Sequence, residues 1–287
     1  MAEHKSPIPS LTGIAGLAAL TDAWVVDVWG VIHNGVVAYP AAVAALARFR
    51  EHGGTVVLVT NAPRPSDAVI AQFARYGVPS SAYDRVISSG DVTRGLIRRW
   101  RDRPLYHIGP ERDLSIFATT DARLVGADEA AGIVCTGLFD DETETADSYR
   151  GCLASLHARS LPMICANPDL VVERGTVLLP CAGALAAAYE AIGGEVHYAG
   201  KPHLPIYEAA FAEIDRLRGR PTPPSRMLAI GDGIRTDMAG AHAAGIDAVF
   251  IPSAIHVSDR GDTAAIIDLF ADKPFRPIAV LRDGLVW

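Results

Sequence analysis

Four apolar runs in this chain end in residues that can bind a metal ion or an anion. They are Val25-Val26-Asp27, Leu58-Val59-Thr60-Asn61, Tyr198-Ala199-Gly200-Lys201 and Ala229-Ile230-Gly231-Asp232. One such ending is ordinary, because Asp, Asn and Gly commonly terminate strands as turn residues. Together the four offer two carboxylates, a hydroxyl and an ammonium. Carboxylates suit a hard cation, and the hydroxyl and ammonium suit an anionic group, a combination that fits phosphoryl transfer. In an open parallel sheet, ligands bind beyond the carboxyl ends of the strands, where strand order reverses. The four endings are therefore expected to meet there.

Short β-rich runs alternate with Ala/Leu-rich helical patterns, as in a parallel α/β sheet. Trp24–Val28 and Thr55–Val59 are predicted strands. The second is an uninterrupted apolar run, which implies burial on both faces. Helices are predicted over Ala41–His52, closed by Gly53-Gly54, and over Ser66–Tyr76, with Ser66 as cap and Gly77 as stop. Val86–Ser89 follows as a strand, and Asp91–Arg103 carries a solvated arginine face. From Pro104 a second α/β stretch begins. It has strands Gly132–Thr136 and Met163–Ala166, helices through Tyr149–Ala158 and Ala182–Ile192, and an acidic loop at Asp140–Glu144. The first pattern is then expected to resume with strand Val196–Ala199 and helix Pro205–Leu217. Strands Met227–Ile230 and Ala248–Ile251 complete it, flanking a helix at Thr236–Ala244.

Composition bounds the function. The 287 residues are 49% hydrophobic and 21% charged, enough for a large core and incompatible with disorder. With roughly 150 residues per domain, two domains are expected. Twenty-six basic against 33 acidic residues give a net charge of −7, which disfavours nucleic acid and an anionic membrane surface. No run approaches the roughly 18 apolar residues of a membrane helix. Leu11–Leu20 is apolar enough for a signal-peptide core, but Glu3 and Lys5 precede it and Pro7 and Pro9 interrupt the approach. A short amphipathic helix and a cytoplasmic protein are expected. Cys135, Cys152, Cys165 and Cys181 are too widely spaced for a zinc or redox pair and read as buried thiols in a reducing compartment.

The constellation resembles the haloacid dehalogenase superfamily, specifically its class IIA branch of nitrophenyl phosphatases, pyridoxal phosphate phosphatase and ribonucleotide monophosphatases. The matching motifs are Asp27-Val28-Trp29-Gly30-Val31-Ile32, Val59-Thr60-Asn61, Gly200-Lys201-Pro202-His203 and Gly231-Asp232-Gly233-Ile234-Arg235-Thr236-Asp237. Each is weak alone; four in order make the signal. The resemblance implies a Rossmann-like parallel-sheet core (residues 1–103 and 197–287) with an inserted α/β cap (residues 104–196). Asn167-Pro168-Asp169 and Cys181-Ala182-Gly183-Ala184 resemble parts of that cap.

Carried over residue by residue, the resemblance makes Asp27 the nucleophile of a phosphatase that passes through an aspartyl phosphate. Mg2+ would bind the Asp27 and Asp232 carboxylates and the backbone carbonyl of Trp29. Thr60 and Lys201 would hold phosphoryl oxygens, with Asn61 and Asn167 as further substrate contacts. Asp237 would orient Lys201 or a metal-bound water, unless it only serves as an acid in the first turn of a helix. The implied partner is a small phosphorylated substrate, and pairing of two chains through the cap is expected by the same resemblance.

One position departs from the pattern. The family's phosphatases carry a second aspartate two residues after the nucleophile, which protonates the leaving oxygen and later activates water. Here that position is Trp29. An indole has one N–H and no basic lone pair, so it cannot shuttle protons at neutral pH. General acid–base catalysis contributes roughly a hundred- to ten-thousandfold, so alkyl phosphates should suffer most. His33, six positions after Asp27, is a candidate substitute on its ordinary pKa; a structural loop histidine is the alternative. His203, beside Lys201, is a weaker one. Arg64, in the loop after Thr60-Asn61, faces either an anionic substrate or solvent.

Other readings follow from the same residues. A regulatory module could keep metal and phosphate recognition with little turnover, and Trp29 favours it. Carbon–phosphorus or carbon–halogen cleavage at the same nucleophile is another, although the superfamily members that do this carry different caps. A nucleotide-cofactor dehydrogenase is disfavoured, since no G-x-G-x-x-G follows the first strand.

Overall fold

The computed structural model describes residues 7–174, 177–252 and 263–287. Glu3 and Lys5 lie outside them. In chain order the strands are β1 (Ser10–Leu11), β2 (Ala23–Asp27), β3 (Thr55–Thr60), β4 (Arg85–Ser88), β5 (Leu105–Ile108), β6 (Gly132–Cys135), β7 (Met163–Cys165), β8 (Val171–Arg174), β9 (Val177–Pro180), β10 (Val196–Tyr198), β11 (Met227–Gly231), β12 (Asp247–Phe250) and β13 (Ala279–Leu281). The helices are α1 (Ala15–Ala18), α2 (Pro40–Glu51), α3 (Ser66–Tyr76), α4 (Ser89–Arg99), α5 (Arg150–Ala158), α6 (Ala182–Ala191), α7 (Leu204–Arg218), α8 (Ala239–Ala244) and α9 (Thr263–Leu269). The α/β class expected from the alternating pattern is the class observed. Contacts divide the chain into two compact units: Met1–Val59, Ala71–Val86 and Tyr207–Trp287 in one, Thr60–Ile70 and Ile87–Ile206 in the other.

A seven-stranded sheet runs in the order β1-β13-β12-β11-β2-β3-β4. From β1 through β3 each neighbouring pair is parallel. Every residue of β2 and β3 is buried, as expected of largely apolar strands in the middle of a covered sheet. Chain order steps outward from β2 through β3 to β4 on one side, and from β11 through β12 to β13 on the other. Strand order thus reverses between β2 and β11, the switch point at which such sheets bind ligands. Register aligns Val26 with Ile230, so both strands reach the same edge with Asp27 and Gly231. Beneath β2, Trp24 stacks on Phe49 of α2 with ring centroids 3.8 Å apart.

In the second unit a four-stranded parallel sheet has the order β10-β7-β6-β5. Side chains alternate across it. Ile133, Cys135, Met163 and Cys165 join Leu153 and Leu156 of α5 and Leu185 and Tyr189 of α6 in one core, while Val134 and Ile164 join Ile97 of α4 in another. Helices therefore cover both faces. Helix α4 begins two residues before the predicted Asp91, at a capping box in which Ser88 and Asp91 satisfy each other's backbone N–H groups.

Strand β10 is a correction. The sequence reading assigned Val196–Ala199 to the resumed first pattern, whereas Val196–Tyr198 pairs with Met163–Cys165 in the second sheet. Parallel βα units look alike in either sheet, and partner choice is set by distant residues. Lys201 is consequently delivered by the edge of the four-stranded sheet. Within Leu11–Leu20, where a short helix is expected, the structure has the four-residue α1, with Leu11 in β1. Strands β1, β5, β8, β9 and β13 were not anticipated; at two to four residues each they are too short for a periodicity to emerge. Among the described residues, no helix is long and apolar enough to cross a membrane.

Candidate active site

Asp27 closes β2 and Asp232 directly follows β11, so two neighbouring parallel strands deliver carboxylates to the same edge. Asp237 joins them from the single π-helical turn Ile234–Met238. Such turns recur at functional sites because the wider ring re-aims a side chain. One carboxylate oxygen from each of Asp27, Asp232 and Asp237 lies within 4.8 Å of the others. Three carboxylates this close repel unless a cation or protons intervene, and their hard oxygens fit a small divalent ion. Asp27 and Asp237 are buried. Asp237 also accepts the Gly233 N–H at 3.0 Å, which fixes its orientation.

Gly30 shapes this cluster. Its φ of +81° is a backbone conformation that side-chain-bearing residues rarely adopt, and a Cβ there would collide with Asp232 Oδ2. The acidic set thus rests against bare backbone one residue past Trp29. The Trp29 indole is half-buried and lies against Gly35 and edge-on to His33, with ring centroids 5.3 Å apart.

His33 sits among aromatic rings, with Phe73 and Tyr76 also against it. Its Nδ1 accepts the Gly35 N–H at 2.9 Å. Burial pushes the imidazole down to about 4. It is neutral at physiological pH with one ring nitrogen committed to its own loop, the geometry of a structural histidine.

In the second unit the residues around Lys201 form their own arrangement. Asn61 Oδ1 accepts the Lys201 N–H at 2.8 Å, and Asn61 Nδ2 donates to the Lys201 carbonyl at 3.1 Å. The same Nδ2 donates to Asp169 Oδ1 at 2.9 Å. Asn167 Oδ1 accepts the Asp169 N–H at 3.0 Å, so Asn167-Pro168-Asp169 is a turn that carries a carboxylate to the Asn61 amide. Gly200 permits the close approach, because a Cβ there would collide with Asn61 Oδ1. Asn61 and Lys201 are both buried. Thr60, also buried, ends β3, with its Oγ1 accepting the Ala62 N–H at 3.3 Å. His203 stacks on Tyr198 at 4.3 Å, and burial lowers its pKa.

The predicted residues therefore fall into two arrangements. Asp27, Asp232 and Asp237 meet in the first unit, and Asn61, Asn167, Asp169 and Lys201 meet in the second. The Asn61–Lys201 link was not anticipated; it spans 140 residues and leaves no local trace. Cys135, Cys152, Cys165 and Cys181 are thiols outside any disulfide, and all but Cys152 are buried.

A family model described as haloacid dehalogenase-like hydrolase matches residues 24–123, and another described as HAD-like hydrolase matches residues 198–278. The crystal structure of a haloacid dehalogenase-like hydrolase from Brucella suis 1330 is 48% identical, with a TM-score of 0.86 over 96% of this chain and all (100%) of that one. This chain belongs to the haloacid dehalogenase-like hydrolases. Within that family the class IIA branch is supported by two curated relatives. Ribonucleotide monophosphatase NagD of Escherichia coli (strain K12) is 26% identical over 261 residues, covering 88% of this chain and 92% of NagD. Chronophin of Rattus norvegicus is 25% identical over 277 residues, covering 90% of this chain and 86% of chronophin. Asp27 lies in the first, and Asp232 and Asp237 in the fourth, of the motifs that carry the family resemblance.

Proposed function

We propose that the protein is a Mg2+-dependent phosphatase acting on small phosphomonoesters through an aspartyl phosphate at Asp27. The observation that carries this reading is the convergence of Asp27, Asp232 and Asp237 within 4.8 Å at the switch point of the sheet. Ribonucleotide monophosphatase NagD, among its relatives, supports the reaction class.

In this reading Asp27 attacks phosphorus in line. A bond forms between its carboxylate oxygen and phosphorus as the bond to the leaving oxygen breaks. Water then attacks phosphorus, releasing phosphate and restoring the carboxylate. Thr60 Oγ1 and Lys201 Nζ hold the phosphoryl oxygens and offset their charge in the transition state. Asn61 acts as a positioning residue: both of its N–H donors and its carbonyl are engaged within the protein, on Lys201 and Asp169. Asn167 acts one step further out, by setting the turn that carries Asp169. The Asp27 and Asp232 carboxylates and the Trp29 backbone carbonyl would hold Mg2+, with Asp237 beside them. The ion supplies charge neutralisation and orientation of the phosphoryl group.

Trp29 leaves the leaving oxygen without an adjacent side-chain acid. His33 does not replace it in this reading, because its Nδ1 is bonded to Gly35 and its ring is held neutral. The leaving group then takes its proton from water, so esters of acidic alcohols are favoured. The same substitution is the observation that favours a second reading, a phosphate-ligand binding module with weak turnover. An assay with 4-nitrophenyl phosphate, with and without Mg2+, compares wild type with Asp27→Asn. Metal-dependent release in wild type that Asp27→Asn abolishes is the expected result. Binding of phosphate analogues without turnover would instead support the second reading. Cytoplasmic location and pairing of two chains through the cap belong to the same proposal.

A further inference from the structure

Arg64 belongs to the loop that follows Thr60-Asn61, and this loop is held along its length within the second unit. Asn61 is tied to Lys201 and Asp169. The Ala62 carbonyl accepts the Gly90 N–H at 3.1 Å, and the Ser66 N–H donates to Asp91 Oδ1 at 3.1 Å, both at the start of α4. Pro63 and Pro65 flank Arg64 and restrict its backbone further. The side chain nevertheless remains 36% exposed.

Its one ionic partner among the described residues is Asp113, with Arg64 Nε 3.5 Å from Asp113 Oδ1. Asp113 is only 3% exposed, and this oxygen has no hydrogen-bond partner. A carboxylate buried in this way is costly unless a cation stays beside it. A structural role for the pair does not account for the rest of Arg64. A guanidinium has five donors in a planar fork, and contact through Nε leaves the two terminal nitrogens. Among the described residues these make no hydrogen bond, and that edge of the fork matches an oxyanion.

We propose that Arg64 reads a second negative charge on the leaving group, so that the preferred substrate is a phosphomonoester whose alcohol carries a carboxylate or a further phosphate. This rests on the phosphatase reading above. With the phosphoryl group at Thr60, an ester substituent needs to reach only four residues along a rigid loop. Asp113 is a positioning residue in this scheme. It stays beside Nε and leaves the terminal nitrogens for the second negative charge.

The test compares 4-carboxyphenyl phosphate and 1,4-phenylene bisphosphate with 4-carbamoylphenyl phosphate, which is similar in shape but lacks the second charge. In the wild-type enzyme kcat/KM is expected to favour at least one anionic ester by about tenfold. Arg64→Gln should bring that ratio toward one, Arg64→Lys should keep part of it, and Asp113→Asn should raise KM for the anionic ester with little change in kcat. Comparing ratios between variants cancels differences in leaving-group acidity, and the two anionic esters distinguish carboxylate from phosphate. A wild-type ratio near one, or a preference that survives Arg64→Gln, overturns the proposal. Calorimetric binding of 4-carboxybenzylphosphonate against its carboxamide makes the same comparison without turnover. A binding preference lost in Arg64→Gln, in a protein that hydrolyses none of the esters, would reject the phosphatase reading while keeping the assignment of Arg64.

Discussion

The side-chain amide of Asn61 grips the backbone of Lys201 at both ends, accepting its N–H at 2.8 Å and donating to its carbonyl at 3.1 Å. Two hydrogen bonds on one residue fix its position and orientation. The third, to Asp169, stops the amide from flipping. Removing one partner of a buried polar set leaves the others unsatisfied, at about 1–3 kcal/mol. Asn61→Ala is expected to lower stability by about that amount in denaturant titration and to reduce kcat more than it raises KM. An Asn61→Ala enzyme with unchanged kcat would remove the positioning role.

Thermal stability should report the acidic cluster without any assay of turnover. Mg2+ bound there would relieve the repulsion among Asp27, Asp232 and Asp237, and a ligand that binds only the folded state raises Tm with concentration. The wild-type Tm should rise over millimolar Mg2+ and fall back with chelator. Asp232→Asn should abolish the rise. A Tm indifferent to Mg2+ in the wild-type protein would speak against the site.

Gly30→Ala places a methyl group where Asp232 Oδ2 lies, at a φ of +81°. Strain and collision add, so the loss of stability should exceed about 1 kcal/mol. The Mg2+ concentration for half-maximal activity should increase about tenfold, because Asp232 must move; calorimetric titration with Mg2+ checks this independently. An unchanged metal requirement would show that Asp232 is free to shift without cost.

Trp29→Asp places a carboxylate two residues after Asp27, the proposed nucleophile. Activity on 4-nitrophenyl phosphate should rise less, since that leaving group needs no acid and gains only from activation of the hydrolytic water. Activity on an alkyl phosphate should increase at least about tenfold. Equal effects on both substrates would mean that proton transfer does not limit the alkyl reaction.

Acid sensitivity follows from two buried imidazoles. His33 and His107 are each pushed down to about 4 by burial. The unfolded chain therefore binds more protons than the folded one between about pH 6.5 and 4, and stability rises with pH across that window. Both contributions are fully present above about pH 6.5 and are lost as pH falls through the folded values. Tm measured from pH 7.5 to 4.5 should decline, and less steeply in His33→Gln. A flat profile would show that neither imidazole is held neutral.

The sequence alone determined the acidic cluster. Asp27 terminates one run of buried apolar residues and Asp232 follows another, and both facts are written in consecutive residues. A fully apolar strand can lie only in the middle of a covered sheet, so its polar terminus must emerge at an edge. The haloacid dehalogenase-like order of motifs was legible for the same reason. Tertiary structure decided what depends on distant partners. It assigned Val196–Tyr198 to the second sheet, tied Lys201 to Asn61 across 140 residues, and enclosed His33 within aromatic rings that hold it neutral. Hydrogen-bond partners and burial arise from packing between segments, and that information is in no single segment of the chain.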